Sequence, residues 1–235
     1  MGKIVRKRLF YLYLCPTWQD TREAVRARKN IKTVYNKGGR KTKSRMGLLS
    51  LVVGGIVDAN KAIKQNKAKN DDTTQTVSIQ NKYSIELPEF FKPTTKLNDE
   101  ASLQYWNKTL DCGVTVIDET KSDFFKALEI LREESPEFGK DKSLIDNYCS
   151  VAICNMFDID NVIIESRDDL TINGHNAITL EVFQKRTFLK DAAHYRVGII
   201  EGKDTMYQIN IVVGGTSIKH IGDRLDEIIK SFKEL

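Results

Sequence analysis

The chain has 235 residues, of which 40% are hydrophobic and 29% charged, ordinary globular usage that allows one domain of roughly 100–200 residues plus extensions. Its net charge of +5 joins two unlike parts: 14 Lys and Arg stand before Met46 against only Asp20 and Glu23, so +12 precedes a remainder of −7. The overall pI of 8.9 therefore describes neither part and excludes no more and no less than each part does alone; it does not make the folded portion a nucleic-acid binder.

Residues 1–45 show no sustained helical or strand period, contain the run Lys37-Gly38-Gly39-Arg40-Lys41, and hold few side chains able to build a core. They are expected to form a disordered basic extension. Two accounts fit: a basic arm making salt-sensitive contacts with nucleic acid or anionic lipid, or an over-extended start with Met46 as the natural first residue, which we prefer. Lys7 and Arg8 before Leu9 to Cys15 imitate a lipoprotein signal, but the apolar run is short and Leu14 is too large for a cleavage site. Arg6 stands where a myristoylation signal wants Ser or Thr.

Leu48, Leu49, Leu51, Val52, Val53, Ile56 and Val57 form the most apolar stretch and stop at Asp58, well short of the roughly 20 residues needed to span a bilayer. Three readings stand open: a signal-peptide core cleaved near Ala59, an interfacial anchor, or a docking helix. A short amphipathic helix, continued through Ala62, Ile63 and lysines 61, 64, 67 and 69, ranks first. It gives a peripheral membrane contact through 48–57 or a protein contact through Leu48, Leu51 and Val52. The matching locations are cytoplasmic or membrane-associated, or exported if 46–59 is a signal. A polar linker through Asn70 to Thr74 closes a 46–76 segment, and the domain proper runs over 77–235.

From Val77 the alternation is plain. Val77, Ile79, Tyr83, Ile85 and Leu87 share one parity up to Pro88, with a turn at Asn81 and Lys82. Ala101, Leu103 and Tyr105, then Leu110, Cys112, Val114 and Val116, give two further strands. Helical spacing follows at Phe124, Phe125, Leu128 and Leu131, ending before Pro136, and again from Leu144 through Met156. Strand patterning resumes at Val162 and Ile164 and runs to Ile172, where Asn173-Gly174 suits a two-residue hairpin turn into Ile178, Leu180 and Val182. Tyr195, Val197 and Ile199 pair back through Gly202 and Lys203 with Tyr207, Ile209, Ile211 and Val213. Gly214 and Gly215 break the strand, and Thr216 or Ser217 caps a last helix carrying Ile218, Ile221, Leu225, Ile228, Ile229, Phe232 and Leu235. Strands joined mainly by hairpins, with helices between them, define an α+β class: a mostly antiparallel β-sheet sandwiched by α-helices.

Tyr83-Ser84-Ile85-Glu86-Leu87-Pro88, Ala101 to Tyr105, Ile172 to Ala177, Met206-Tyr207-Gln208-Ile209 and Ile228 to Lys233 together resemble the PsbP/Mog1-like superfamily over residues 77–235. The resemblance rests on strand ends and turns and contains no catalytic signature. It implies an antiparallel sheet sandwiched by helices and a binding role. Members include photosystem accessory subunits, a binder of a small nuclear GTPase, bacterial lipoproteins and chaperones for secreted effectors. It carries over no active-site residues.

Residue chemistry points the same way. Cys15, Cys112, Cys149 and Cys154 contain no C-x-x-C pair, so a cysteine zinc site is not expected, and buried reduced thiols are the better account. His175, His194 and His220 have no motif tying them to a nucleophile, and G-x-S-x-G is absent. Gly214 to Ser217 lacks P-loop spacing, and Asp158, Asp160 and Asn161 lack the length and terminal Glu of an EF-hand loop. Tyr105 and Trp106 fall on opposite strand faces, which makes Trp106 a candidate binding anchor. No catalytic residue, cofactor or metal ligand is assigned. The expected function is a non-catalytic binding or scaffolding module for a protein partner; the alternative is a hydrolase or thiol enzyme with dispersed residues. A chain starting at Met46 is expected to unfold thermally within a few degrees of the full chain, and a larger loss would show that the arm is packed.

Overall fold

A computed structural model of the protein describes residues 73–136, 138–157, 161–185, 192–215 and 217–235. The basic arm and the apolar segment with Leu48, Leu51 and Val52 lie outside the described residues, as do Asp158 and Asp160.

The first alternating run folds as a hairpin, β1 (Thr74–Ile79) and β2 (Tyr83–Pro88), so pairing begins inside the stretch read as linker. The turn lies one residue earlier than expected, with Gln80 and Asn81 both at positive φ. A two-residue strand, β3 (Lys92–Pro93), precedes β4 (Leu103–Asn107) and β5 (Cys112–Thr120). Two helices follow, α1 (Lys121–Glu134) and α2 (Leu144–Met156). Thr120 and Ser143 cap them, each accepting a hydrogen bond from the amide three residues on. Four long strands come next: β6 (Val162–Ile172), β7 (His175–Gln184), β8 (Ala193–Glu201) and β9 (Thr205–Gly214). The chain closes with α3 (Ile218–Lys230) and the two-residue β10 (Lys233–Glu234).

Every pairing among these strands is antiparallel. They form one seven-stranded sheet, β3-β4-β5-β9-β8-β7-β6, and a second small one, β1-β2-β10. The Asn173-Gly174 turn behaves as the residue types require, with φ of 49° and 89° at the two positions. Both faces of the large sheet are covered. Tyr207, Ile209, Ile211 and Val213 of β9 join one buried cluster with Ile221, Leu225, Ile228 and Ile229 of α3 and with Tyr83, Ile85 and Leu87 of the small sheet. Alternation sends Gln208 to the opposite face, where its amide meets Met156 of α2, and α1 lies against β5. The fold is α+β, a mostly antiparallel sheet sandwiched by helices.

Two features differ from the sequence expectation, each for a physical reason. The last helix stops at Lys230, and Phe232 is not on its stripe: the chain turns there so that the Phe232 ring packs 5.5 Å from Tyr83 and 4.8 Å from Tyr207. That burial places Lys233 and Glu234 beside β2 and leaves Leu235 exposed. In β6 the register shifts between Ile164 and Ser166, so Glu165 is an extra residue. Val162 and Ile164 therefore face away from Leu170 and Ile172, although one unbroken alternation would put all four together.

Gly198 of β8 lies directly beneath α3, where a Cβ would sit 2.6 Å from Cγ2 of Ile229. The helix reaches the sheet there because no side chain intervenes. Ile228→Ala should cost about 2–5 kcal/mol in denaturant unfolding. Gly198→Ala should also destabilise, and combining it with Ile229→Val should restore part of that loss; equal stability of Gly198→Ala and the parent would contradict this packing.

Candidate functional site

Two constellations stand out, on opposite faces of the large sheet. The first is polar and sits on the α3 side. Pairing sets Glu181 of β7 beside Arg196 of β8 and beside Ser166 of β6, while Phe183 pairs with His194 two positions along. Directly paired residues share a face, so Glu181, His194 and Arg196 project together. The bulge adds Glu165 from the edge strand. Ligand-type atoms of Glu165, Glu181 and His194 lie within 4.8 Å of one another.

Arg196 anchors this group to α3. Its Nε and Nη2 donate to the two carboxylate oxygens of Asp226 at 2.5 and 2.9 Å, and Nη1 reaches Glu181 Oε2 and Ser166 Oγ at 3.3 and 3.4 Å. Hydrogen bonding from Arg196 holds the Asp226 carboxyl below the usual carboxylate range, against the opposing effect of partial burial. The same bond to Asp226 raises the Arg196 guanidinium, with the charges of Glu181 and Asp168 adding to it. Nδ1 of His194 is shielded from solvent and has no hydrogen-bond partner. The His194 ring lies 5.0 Å from that of Phe183.

The second constellation lies on the α1/α2 side. Successive pairings align Trp106 of β4, Gly113 of β5, Val212 of β9 and Tyr195 of β8 in one row. The Trp106 indole packs against Gly113, where a Cβ would sit 2.5 Å from its nearest atom, and Leu97 flanks the same point. At the other end the ring of Phe157, just past α2, meets Tyr195 edge-on at 4.9 Å. Trp106, Val212 and Tyr195 remain half-buried, so the row is an apolar strip open to solvent. Beside it on the same face runs a chain of buried amides: Gln208 donates to Met156 Sδ and Asn210 Oδ1, and Asn210 donates to Thr115 Oγ1. That chain fixes the β5–β9 register through side chains the sequence reading did not single out.

Other candidates from the sequence find structural partners. Burial pushes the Cys112 thiol far up, and pushes Cys149 up to about 11, so neither is a thiolate at neutral pH. Cys154 is buried on α2 together with Cys149 but is disulfide-bonded, so the expectation of reduced thiols holds for Cys112 and Cys149 and fails for Cys154. His175 Nε2 lies 3.6 Å from Glu234 Oε2, and that carboxylate also accepts from the Lys203 amide and the Tyr207 hydroxyl. Backbone amides of Gly214, Gly215 and Ser217 donate to carbonyls of Asp111, Ala192 and Gly214, so the turn before α3 is occupied with its own hydrogen bonds. Among the described residues no helix is long and apolar enough to cross a membrane.

No family model and no curated protein matches the chain. Solved structures with similar folds include cyanobacterial PsbP (CyanoP) from Synechocystis sp. PCC 6803, at 10% identity and TM-score 0.43, covering 69% of this chain and 93% of that one. LpqN of Mycobacterium tuberculosis, described as involved in cell envelope biogenesis, is 9% identical at TM-score 0.40, with 70% of this chain and 86% of that one covered. Protein PA94 of Pseudomonas aeruginosa is 10% identical at TM-score 0.34, covering 67% and 94%. Each is a likeness of fold alone.

The Arg196–Asp226 pair gives a signed pH dependence. A carboxylate depressed in the folded state contributes fully above its ordinary pKa of 3.8 and loses that contribution as pH falls below that value and through the lower folded-state one. Asp226→Asn should cost on the order of 1 kcal/mol near neutral pH, a value discounted because the Asp226 side chain is 39% exposed. The gap between variant and parent in denaturant midpoints should narrow progressively as pH drops from about 5 to about 2. A gap constant over that range would mean the pair does not contribute.

Proposed function

We propose that the protein is a non-catalytic protein-binding or scaffolding module, whose partner docks on the strip formed by Trp106, Val212 and Tyr195. The observation that carries this reading is the strip itself: an aromatic and aliphatic row crossing four strands, half-open, with an indole packed against a glycine. Aromatic anchors fixed by packing lose little entropy on binding and dominate interface energetics. The isolated exposed hydrophobics, Phe125, Ile163 and Leu235, stand on separate elements and call for no partner. The segment with Leu48, Leu51 and Val52 supplies a second contact in this reading, with a protein or a membrane surface.

The alternative of a thiol enzyme is weakened by the raised pKa of Cys112 and Cys149, which leaves neither described free thiol activated. To test the docking strip, a photo-crosslinking residue is placed at exposed Lys108, beside Trp106, and separately at exposed Lys126 on α1. Adducts should form from position 108 and not from 126. Trp106→Ala should weaken capture of the same partner roughly tenfold or more, as expected for an interface anchor. Equal capture by folded Trp106→Ala would remove the strip from the proposal, and reproducible turnover lost with Cys149, His175 or His194 would remove its non-catalytic part.

A further inference from the structure

We propose that Glu165, Glu181 and His194 form a binding site for a divalent first-row transition cation of the zinc class, built at the bulge of edge strand β6. Three independent features of the cluster lead there. The first is distance. Donors each about 2.0–2.2 Å from one cation lie at most about 4.4 Å apart, and the three groups already lie within 4.8 Å of one another. Glu165 is exposed, so a small rotation of its side chain closes the remainder.

The second feature is His194 itself. An imidazole nitrogen kept from water with no hydrogen-bond partner is an uncommon state for a buried polar atom. A ring nitrogen lies within 4.8 Å of both carboxylates, and ligation of a shared cation through Nδ1 would give that atom the partner it lacks. The third feature is charge. Arg196 touches the site through one oxygen of Glu181, while two hydrogen bonds commit it to Asp226. The charges of Asp226, Glu181 and Asp168 all act on the Arg196 guanidinium, so among these groups the carboxylates outnumber the cation beside the site.

The donor set decides the class of metal. One imidazole and two carboxylates suit zinc and its transition-metal neighbours, whereas calcium takes six to eight oxygens and magnesium keeps most of its water. Three protein ligands leave a position open to water or to a donor from a bound partner. The backbone also explains why these residues meet. Glu181 and His194 are on paired strands, and the bulge at Glu165 supplies the third ligand by aiming an extra side chain at a point that regular alternation would give to one residue. A cation there ties the edge strand to β7 and β8.

The test uses the full chain, freed of metal with a chelator and titrated with Zn2+ by calorimetry and with Co2+ by absorption spectroscopy. One cation should bind per chain, with Co2+ ligand-field bands and no thiolate-to-metal charge transfer. Glu165→Gln and His194→Asn should each weaken Zn2+ binding by at least about tenfold, since even outer-shell changes at metal sites reach that size. His175→Asn, which alters the other histidine–carboxylate pair, should leave it unchanged. Glu165 is exposed on an edge strand, so its variant reports on binding even if His194→Asn unfolds the protein. The proposal is overturned by no Zn2+ binding up to about 1 mM, by thiolate charge transfer, by an unchanged affinity in Glu165→Gln, or by loss of binding in His175→Asn.

Discussion

Strand β9 is buried almost from end to end, and a strand in that position needs a layer on each side of it. Tyr207, Ile209, Ile211 and Val213 require apolar cover on one face, while Met206, Gln208 and Asn210 require cover with hydrogen-bonding capacity on the other. The C-terminal helix and the small β1-β2-β10 sheet meet the first need. The second is met by α1 and α2, with Met156 accepting from Gln208. Each large side chain removed from water in this way contributes roughly 1.5–3 kcal/mol, so the order of elements along the chain follows from what this one strand must bury.

Much of that arrangement is legible in the sequence because period and turn chemistry are local. The Asn173-Gly174 turn, the β8–β9 hairpin and the stripe Ile221, Leu225, Ile228 of the last helix all follow from residues adjacent in sequence. What escapes the sequence depends on register. An alternating run from Val162 to Ile172 looks continuous, and only pairing with β7 shows that Glu165 is an extra residue which exchanges the two faces. Phe232 has helical spacing from Ile228 and Ile229, yet the rings of Tyr83 and Tyr207, more than twenty residues away in sequence, draw it out of the helix.

The two candidate sites illustrate the same division. Trp106 is visible as an aromatic next to Tyr105, but its seat against Gly113 exists only once β4 and β5 are in register. The charged cluster has no sequence signature at all. Glu165, Glu181, His194, Arg196 and Asp226 come from four elements, and motif spacing cannot find side chains that are gathered by strand pairing and a helix crossing. His194 and Tyr195 are neighbours in β8, and alternation sends one to each site.

The sheet edges bear on how a partner can bind. An exposed edge strand invites pairing with another chain, the commonest way for a β protein to recruit an extended peptide. Here β6 is long, but its ladder is interrupted by the bulge at Glu165, and Arg167, Asp168 and Asp169 crowd three charges into its middle. Arg167 is further bound to Asp146 of α2 and to Asp169, which fixes those charges at the edge. The opposite edge, β3, is two residues long and ends in Pro93, which has no amide to donate. Both edges of the large sheet thus resist strand addition. What the sheet offers instead is a face, and the open part of that face is the row from Trp106 to Tyr195, where side-chain packing rather than backbone hydrogen bonding would select the partner.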